Sequence, residues 1–389
     1  MDGDVIYLDY SASTPCDPRV VEAMLPHLTE TYANPSSRNH RPGRDAFRAL
    51  EDARATVARR LGTRSPTEIY FTSGATEANN LALRGIAQAR ADRGRHIVTQ
   101  ATEHPSVLEP LRSLQLEGWD LTEIGVDENG QLRLDDLAAA LRDDTVLVSL
   151  MHANNETGTL QPIRQAAALV HQRDVLIHCD AAQSVGKVKV DVSDLDVDLL
   201  TLSGHKFYAP NGIGALYLRR TKPALKVHPL FLGGGHESGL RSGTPNLPGA
   251  AGLARALELA VDALGVEGPR TTDLRDRLEQ SVVGNLEGCT INGATDHRLP
   301  GTTNLSFAGI EGNALLASLP DLAVSSGSAC TSSHSEASAV LLAMGVVPAL
   351  ARASLRLSVG RFTTTEEVDR AAGRIVEEVQ RLRSLARRR

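Results

Sequence analysis

Short apolar runs alternate with longer stretches of helical periodicity, and this alternation leaves the chain few ways to fold. Runs at Glu68 to Thr72, His96 to Thr99, Val146 to Met151, Val175 to Cys179, Val197 to Leu202 and Ile213 to Leu218 have the length of strands, and helix patterns cover Thr76 to Arg90 and Pro162 to His171. Strands spaced by helices predict an α/β domain with a largely parallel sheet. Gly212 and Gly214 suggest a hairpin-like return, so one antiparallel strand is expected. An alanine- and leucine-rich helix from Ala250 to Leu264 runs into Gly265-Val266-Glu267-Gly268-Pro269, which reads as a break. After it comes an α+β pattern: Cys289 to Asn292, Thr303 to Phe307, a helix from Glu311, Leu322 to Val324, and Ser354 to Val359. The last helix sets Val368, Ala372, Ile375, Val379 and Leu382 on one apolar face. The expected division is a large domain over 16–260 and a smaller α+β domain made of 1–15 and 261–389, and 389 residues suffice for both.

A formal net charge of −6 gives no electrostatic reason to expect direct nucleic-acid binding. The basic Leu385-Ala386-Arg387-Arg388-Arg389 reads as a solvated helix end whose charges suit the macrodipole. The N-terminus shows no basic n-region followed by an apolar h-region, and no apolar stretch approaches membrane-spanning length. The four cysteines, Cys16, Cys179, Cys289 and Cys330, lack CxxC spacing and are too few for a disulfide framework. A reduced, cytoplasmic setting is expected, and no metal site is.

Lys206 closes Ser203-Gly204-His205-Lys206, just after the run Val197 to Leu202. The chain has only five lysines; Lys187 and Lys189 lie in a polar-alternating stretch and Lys222 and Lys226 flank Pro223, all read as surface. Lys206 alone follows a buried-strand pattern, where burial and nearby cations favour the free amine. It is the candidate for a Schiff base with an aldehyde cofactor. Asp180 ends the strand Val175 to Cys179, the position where α/β sheets gather ligands. A carboxylate there pairs with the protonated ring nitrogen of pyridoxal phosphate; the alternative is a cap on the next helix. Ser73-Gly74-Ala75-Thr76 opens a helix after a strand and is a candidate phosphate site, with Ser203 and His205 as further donors. His104 follows the strand His96 to Thr99, where an imidazole can stack on a flat ring and exchange protons. Asn155 follows another strand end, as a donor to a ring oxygen or a substrate carboxylate, or as part of a turn with Gly158.

Together these residues resemble the cysteine desulfurase family, class V aminotransferase-like enzymes of pyridoxal-phosphate fold type I. The likeness runs from Tyr7-Leu8-Asp9-Tyr10-Ser11-Ala12-Ser13-Thr14-Pro15 to Ser354-Leu355-Arg356-Leu357-Ser358. It passes through Thr72 to Asn80, Thr102-Glu103-His104, Asn154 to Gly158, Asp180 to Ser184, Ser203 to Lys206 and Arg241-Ser242-Gly243-Thr244. The resemblance implies a large domain with a mostly parallel seven-stranded sheet and pyridoxal 5′-phosphate held on Lys206. By the same resemblance Asp180 meets the ring nitrogen, Gln183 the ring hydroxyl and His104 the ring face, while Ala75, Thr76, Ser203 and His205 hold the phosphate. Thr244 reaches the phosphate of a partner subunit, which implies a homodimer. Arg356 clamps the substrate carboxylate, with Asn155 helping.

Ser325-Ser326-Gly327-Ser328-Ala329-Cys330-Thr331-Ser332-Ser333 is a run of small polar residues, read as a flexible loop at about 325–335 with Cys330 exposed. Cys179 and Cys289 read as structural. In the family this loop marks the long-loop group, which passes sulfur to protein partners. The resemblance therefore implies conversion of L-cysteine to L-alanine with a persulfide left on Cys330. The acceptor would be an iron–sulfur scaffold, a tRNA-thiolation protein or a DNA-sulfur-modification protein. Ala337 stands where the family often has proline. Rival readings are a selenocysteine lyase or an aminotransferase on the same fold, and a sulfur-relay scaffold without turnover.

Overall fold

The structure, a computed structural model, describes residues 5–222, 224–326 and 337–387. Its strands are β1 (Ile6–Tyr7), β2 (Ile69–Thr72), β3 (His96–Gln100), β4 (Asp120–Ile124), β5 (Thr145–Met151), β6 (Leu176–Asp180), β7 (Leu199–Ser203), β8 (Gly214–Leu218), β9 (Cys289–Ile291), β10 (Thr302–Phe307), β11 (Leu322–Ala323) and β12 (Ser354–Ser358). The helices are α1 (Pro18–Thr29), α2 (Arg41–Arg60), α3 (Ala75–Arg90), α4 (Pro105–Leu116), α5 (Leu134–Ala140), α6 (Ile163–His171), α7 (Val192–Leu195), α8 (Leu247–Asn285), α9 (Gly312–Ala317), α10 (Ala339–Ala343), α11 (Pro348–Arg352) and α12 (Thr365–Ala386).

Seven strands form one sheet in the order β2-β8-β7-β6-β5-β3-β4. All pairs are parallel except those made by β8, which runs antiparallel to both β2 and β7. The strands β2, β3, β5, β6 and β7 therefore end at the same edge, and the segments that follow them converge there. Both faces of the sheet are covered, so its central strands are buried throughout and mostly apolar, with Thr99, Ser149, His178 and Thr201 among the buried polar exceptions. Val98, Val148, Ile177 and Leu200 join a core with residues of α2, α6 and α8. Ile97, Leu147, Leu199 and Leu216 join another with residues of α3 and α4.

A separate core gathers Leu274, Leu278 and Val282 of α8, Leu305 of β10, Leu355 of β12, and Val368, Ile375 and Val379 of α12. Its sheet is antiparallel, in the order β12-β10-β9. Ile6 and Leu8 also belong to this core, and β1 pairs in parallel with β11. The N-terminal segment then crosses to the other side: Lys206 Nζ donates to the Ser11 and Ala12 carbonyls, and the Thr14 N–H to the His205 carbonyl.

Two expectations fail. The glycines and proline at 265–269 do not end a helix; α8 continues through them for 39 residues, with Pro269 inside. Proline costs an internal hydrogen bond, but both halves of α8 bury an apolar face, and a Cβ at Gly265 or Gly268 would meet open space. Lys187 is not a surface lysine: it is half-buried beside the site described below.

Candidate active site

The strand ends enclose a cleft of about 470 Å³ lined by the segments after β2, β3, β5, β6 and β7, by Ser11 and Ala12, and by Arg356 of β12. Ala75, Thr76, His104, Asn155, Asp180, Gln183, Ser203, His205, Lys206 and Arg356 all face it. Thr244 is exposed in the segment before α8 and does not line the cleft of its own chain. Cys330 lies outside the described residues.

One end of the cleft suits an anion. Gly74 is the N-cap of α3 and no side chain caps the helix, so its first N–H groups point at the cleft. Glu77 also lines that end, but its carboxylate is engaged, accepting from the Ser73 N–H at 2.9 Å and pairing with Arg241 at 2.8 Å. The loop fits closely: a Cβ on Gly214 would come within 2.7 Å of Gly74 Cα, so β8 needs glycine there. His205 is held neutral, its pKa pushed down to about 4 by burial and by Lys206 and Lys187. A neutral imidazole can offer the cleft a hydrogen bond but not a positive charge.

At the other end Asp180 is fixed on both oxygens. Oδ1 accepts from the Ala182 N–H at 2.9 Å and Oδ2 from Asn79 Nδ2 at 2.7 Å. The helix that Asp180 was expected to cap does not form: the segment after β6 is a run of turns, and the Ala182 N–H contact closes one of them while Asp180 faces the cleft. Asn79 donates to Ser106 Oγ as well, at 2.9 Å, and Ser106 Oγ lies 2.8 Å from His104 Nδ1. His104 is the N-cap of α4, and its Nδ1 accepts from the Ser106 N–H at 3.1 Å. That contact places the proton of the neutral ring on Nε2. Burial lowers its pKa, Lys206 and Arg356 add to this, and Asp180 opposes it. His104 is therefore neutral near pH 7 and offers the cleft a donor.

Arg356 is 3% exposed, which makes its contacts decisive. Nη1 donates to the Asn155 carbonyl at 3.1 Å, while Nη2 pairs with Asp9 at 2.7 Å and reaches Ser325 Oγ at 3.3 Å. Among the described residues the buried Nε has no hydrogen-bond partner. A buried donor left in this state favours an acceptor entering the cleft, and a carboxylate fits a guanidinium best.

The donor set fits pyridoxal phosphate. An uncapped helix N-terminus and Ser203 suit the phosphate, a doubly anchored carboxylate suits a ring N–H, and Lys206 suits an aldehyde. Sequence reasoning missed Asn79, Ser106 and Glu103. Asn79 had a signal, since it lies on the apolar face of α3 with Ala78, Ala82, Leu83 and Ile86, all buried. Glu103 is buried, with Oε1 accepting from the Met151 N–H at 2.5 Å and Oε2 without a partner. Burial, with Asp180 nearby, pushes its pKa well above the ordinary carboxylate range.

A fold-type I layout with a lysine, an aspartate and a phosphate-ready helix end defines a pyridoxal-phosphate enzyme class, and comparison with known proteins narrows it. The chain belongs to the aminotransferase class-V family, whose model matches residues 6–371. It is 49% identical over 381 residues to the cysteine desulfurase IscS of Anaeromyxobacter sp. (strain Fw109-5), covering 98% of this chain and 94% of that one. Among solved structures, a NifS-like protein superposes with a TM-score of 0.90 at 37% identity, covering 97% of this chain and all (100%) of that one. SspA in complex with cysteine superposes with a TM-score of 0.81 at 35% identity, covering 92% and 99%. Among the described residues no helix is long and apolar enough to cross a membrane, and no cluster of histidine, cysteine or acidic side chains is arranged to hold a metal ion.

Proposed function

We propose that this protein is a pyridoxal-phosphate-dependent cysteine desulfurase, which converts L-cysteine to L-alanine and leaves the sulfur on Cys330 as a persulfide. The observation that carries this reading is the meeting, in one cleft, of Lys206, Asp180, neutral His104 and the buried Arg356 with its unpartnered Nε. When bound, the cofactor supplies an aldehyde for the substrate amine and an electron sink for the charge left at Cα.

The chain's own residues do the rest. Arg356 binds the substrate carboxylate, and Asn155, whose carbonyl already holds Nη1, steadies it. Asp180, anchored by Asn79 and the Ala182 N–H, keeps the ring nitrogen protonated. Lys206 Nζ, released from the Ser11 and Ala12 carbonyls, takes the Cα proton and returns one to the product. His104 donates from Nε2 toward the substrate sulfur, and receives a proton there only by giving up the Ser106 N–H on Nδ1. The thiolate of Cys330 attacks the substrate sulfur; the new S–S bond forms as the Cβ–S bond breaks.

Ala75, Thr76, Ser203 and His205 hold the phosphate, and Gln183 meets the ring oxygen. Thr244 completes the phosphate site of a second copy, which makes the working form a homodimer with an exposed role for that residue. The sulfur passes on to an acceptor protein in the cytoplasm: an iron–sulfur scaffold, a tRNA-thiolation protein or a DNA-sulfur-modification protein.

The test is incubation of the yellow holoenzyme with L-cysteine and a reductant. Alanine and sulfide should appear in equal amounts. Formation of an oxo acid instead of alanine would move the protein to the aminotransferases, and strong preference for selenocysteine in a parallel assay would move it to the lyases.

A further inference from the structure

Lys187 occupies a place that surface lysines do not. It follows β6 in a turn where Gly186 has φ 77°, and a Cβ on Gly186 would lie 2.7 Å from that of Phe207. Only glycine fits there, and the reversal brings Lys187 back onto Gln183, four residues earlier in a non-helical segment. Lys187 Nζ donates to Gln183 Oε1 at 3.0 Å. On its other side Gln183 Nε2 donates to the Ser11 carbonyl at 2.8 Å, and that same carbonyl accepts from Lys206 at 2.7 Å.

These partners settle which way the amide points. An ammonium can only donate and a backbone carbonyl can only accept, so Oε1 must face Lys187 and Nε2 must face Ser11. Gln183 also lines the cleft, so the second hydrogen on Nε2 remains for a ligand. A cation on Oε1 draws charge from the amide and makes Nε2–H a stronger donor, as in any polarised hydrogen-bond chain. Among the described residues no carboxylate pairs with Lys187. Lys206, His205 and Arg356 lie near it, and Tyr10, Tyr208 and Glu267 share the small cavity on its far side. Burial and the neighbouring cations lower its pKa to about 7, so the polarising charge is present below that pH and is lost above it.

We propose that Lys187 is a positioning residue for the reaction: it locks and polarises the Gln183 amide so that the cleft presents a strong donor to an oxygen anion on the cofactor ring. This rests on the reading of Gln183 as the partner of that ring oxygen. Its consequence is that the charge state of the ring oxygen, and with it the colour of the bound cofactor, depends on a residue that touches neither cofactor nor substrate.

The experiment compares the visible spectra of the purified holoenzyme and of the Lys187→Met and Lys187→Arg variants, together with the rate at which each loses cofactor to a competing carbonyl reagent. Lys187→Met should move the absorbance maximum to shorter wavelength, because the ring oxygen gains a proton. It should also speed cofactor loss by about 10-fold, the value of one charge-assisted hydrogen bond. Lys187→Arg should restore both. An unchanged spectrum and loss rate in Lys187→Met would overturn the inference, and so would equal changes in both variants, which would mark a packing role. If Lys187→Met does not fold, Lys187→Gln, which keeps a donor and drops the charge, is read in the same way. Gln183→Ala separates the two layers: if it alters the spectrum while Lys187→Met does not, only the role of Lys187 falls. If Gln183→Ala alters nothing, the assignment of Gln183 falls with it.

Discussion

Replacing Glu156 by glutamine should remove one identifiable part of the pH dependence of stability. Glu156 is buried in the loop between β5 and α6, where Oε2 accepts from Ser338 Oγ at 2.5 Å, and Ser338 in turn caps α10. Burial raises its pKa from the ordinary 4.5 to about 7, against smaller opposing effects of Ser338 and Arg356. Below pH 4.5 the carboxyl is neutral in folded and unfolded chains alike. Between there and about pH 7 the folded protein keeps a proton that the unfolded chain has lost, so stability falls as pH rises. At roughly 1.4 kcal/mol per pH unit the loss is about 3 kcal/mol, complete once the pH passes the folded value. Glutamine does not titrate, so Glu156→Gln lacks this slope. The assay is denaturant unfolding of both proteins from about pH 4.5 to about pH 8, read as the difference between them so that all other groups cancel. The variant should gain about 3 kcal/mol on wild type across that range, whatever its fixed offset. A difference that stays flat with pH would refute the buried neutral carboxyl.

Other substitutions probe the cleft and the frame. Lys206→Ala should abolish turnover and the visible absorbance of bound cofactor, measured by spectrum and alanine release; retained turnover would remove the Schiff-base role. Cys330→Ser should keep the cofactor colour yet form no persulfide, read by trapping with a thiol-reactive mass label. Arg356→Lys should raise KM for cysteine by about 10- to 100-fold, because an ammonium cannot make the two parallel contacts of a guanidinium. Arg298→Met leaves Glu279 buried and unpaired after removing contacts of 2.6 and 2.8 Å, and should cost about 3–5 kcal/mol in denaturant unfolding.

The large sheet was readable because its central strands are buried on both faces and so carry apolar runs. Strand β4 was not: it lies at the sheet edge, pairs only with β3, and exposes Asp120 and Glu123, so no such run marks it. The continuity of α8 was hidden for the opposite reason, since local glycine and proline signals opposed a helix that tertiary burial of both halves sustains. In the site, residues that would meet the cofactor or substrate stood out at strand ends, where their chemistry is exposed to the reader. Those that hold them in place did not. Asn79 and Ser106 act through side-chain partners far away in sequence, and Lys187 depends on a positive-φ glycine to turn it inward.

Helix α8 also bears on how this molecule can be divided. At 39 residues it spans about 58 Å, with Leu253 and Leu257 committed to one core and Leu274 and Leu278 to the other. A cut near residue 260 would give two fragments, each ending in half an amphipathic helix. The N-terminal fragment would also carry off Ile6 and Leu8, which the second core needs. The two cores thus fold, and must be inherited, as one piece. Large relative rotation between them would break backbone hydrogen bonds along the helix, so substrate entry and sulfur exit have to be managed by segments around a fixed frame.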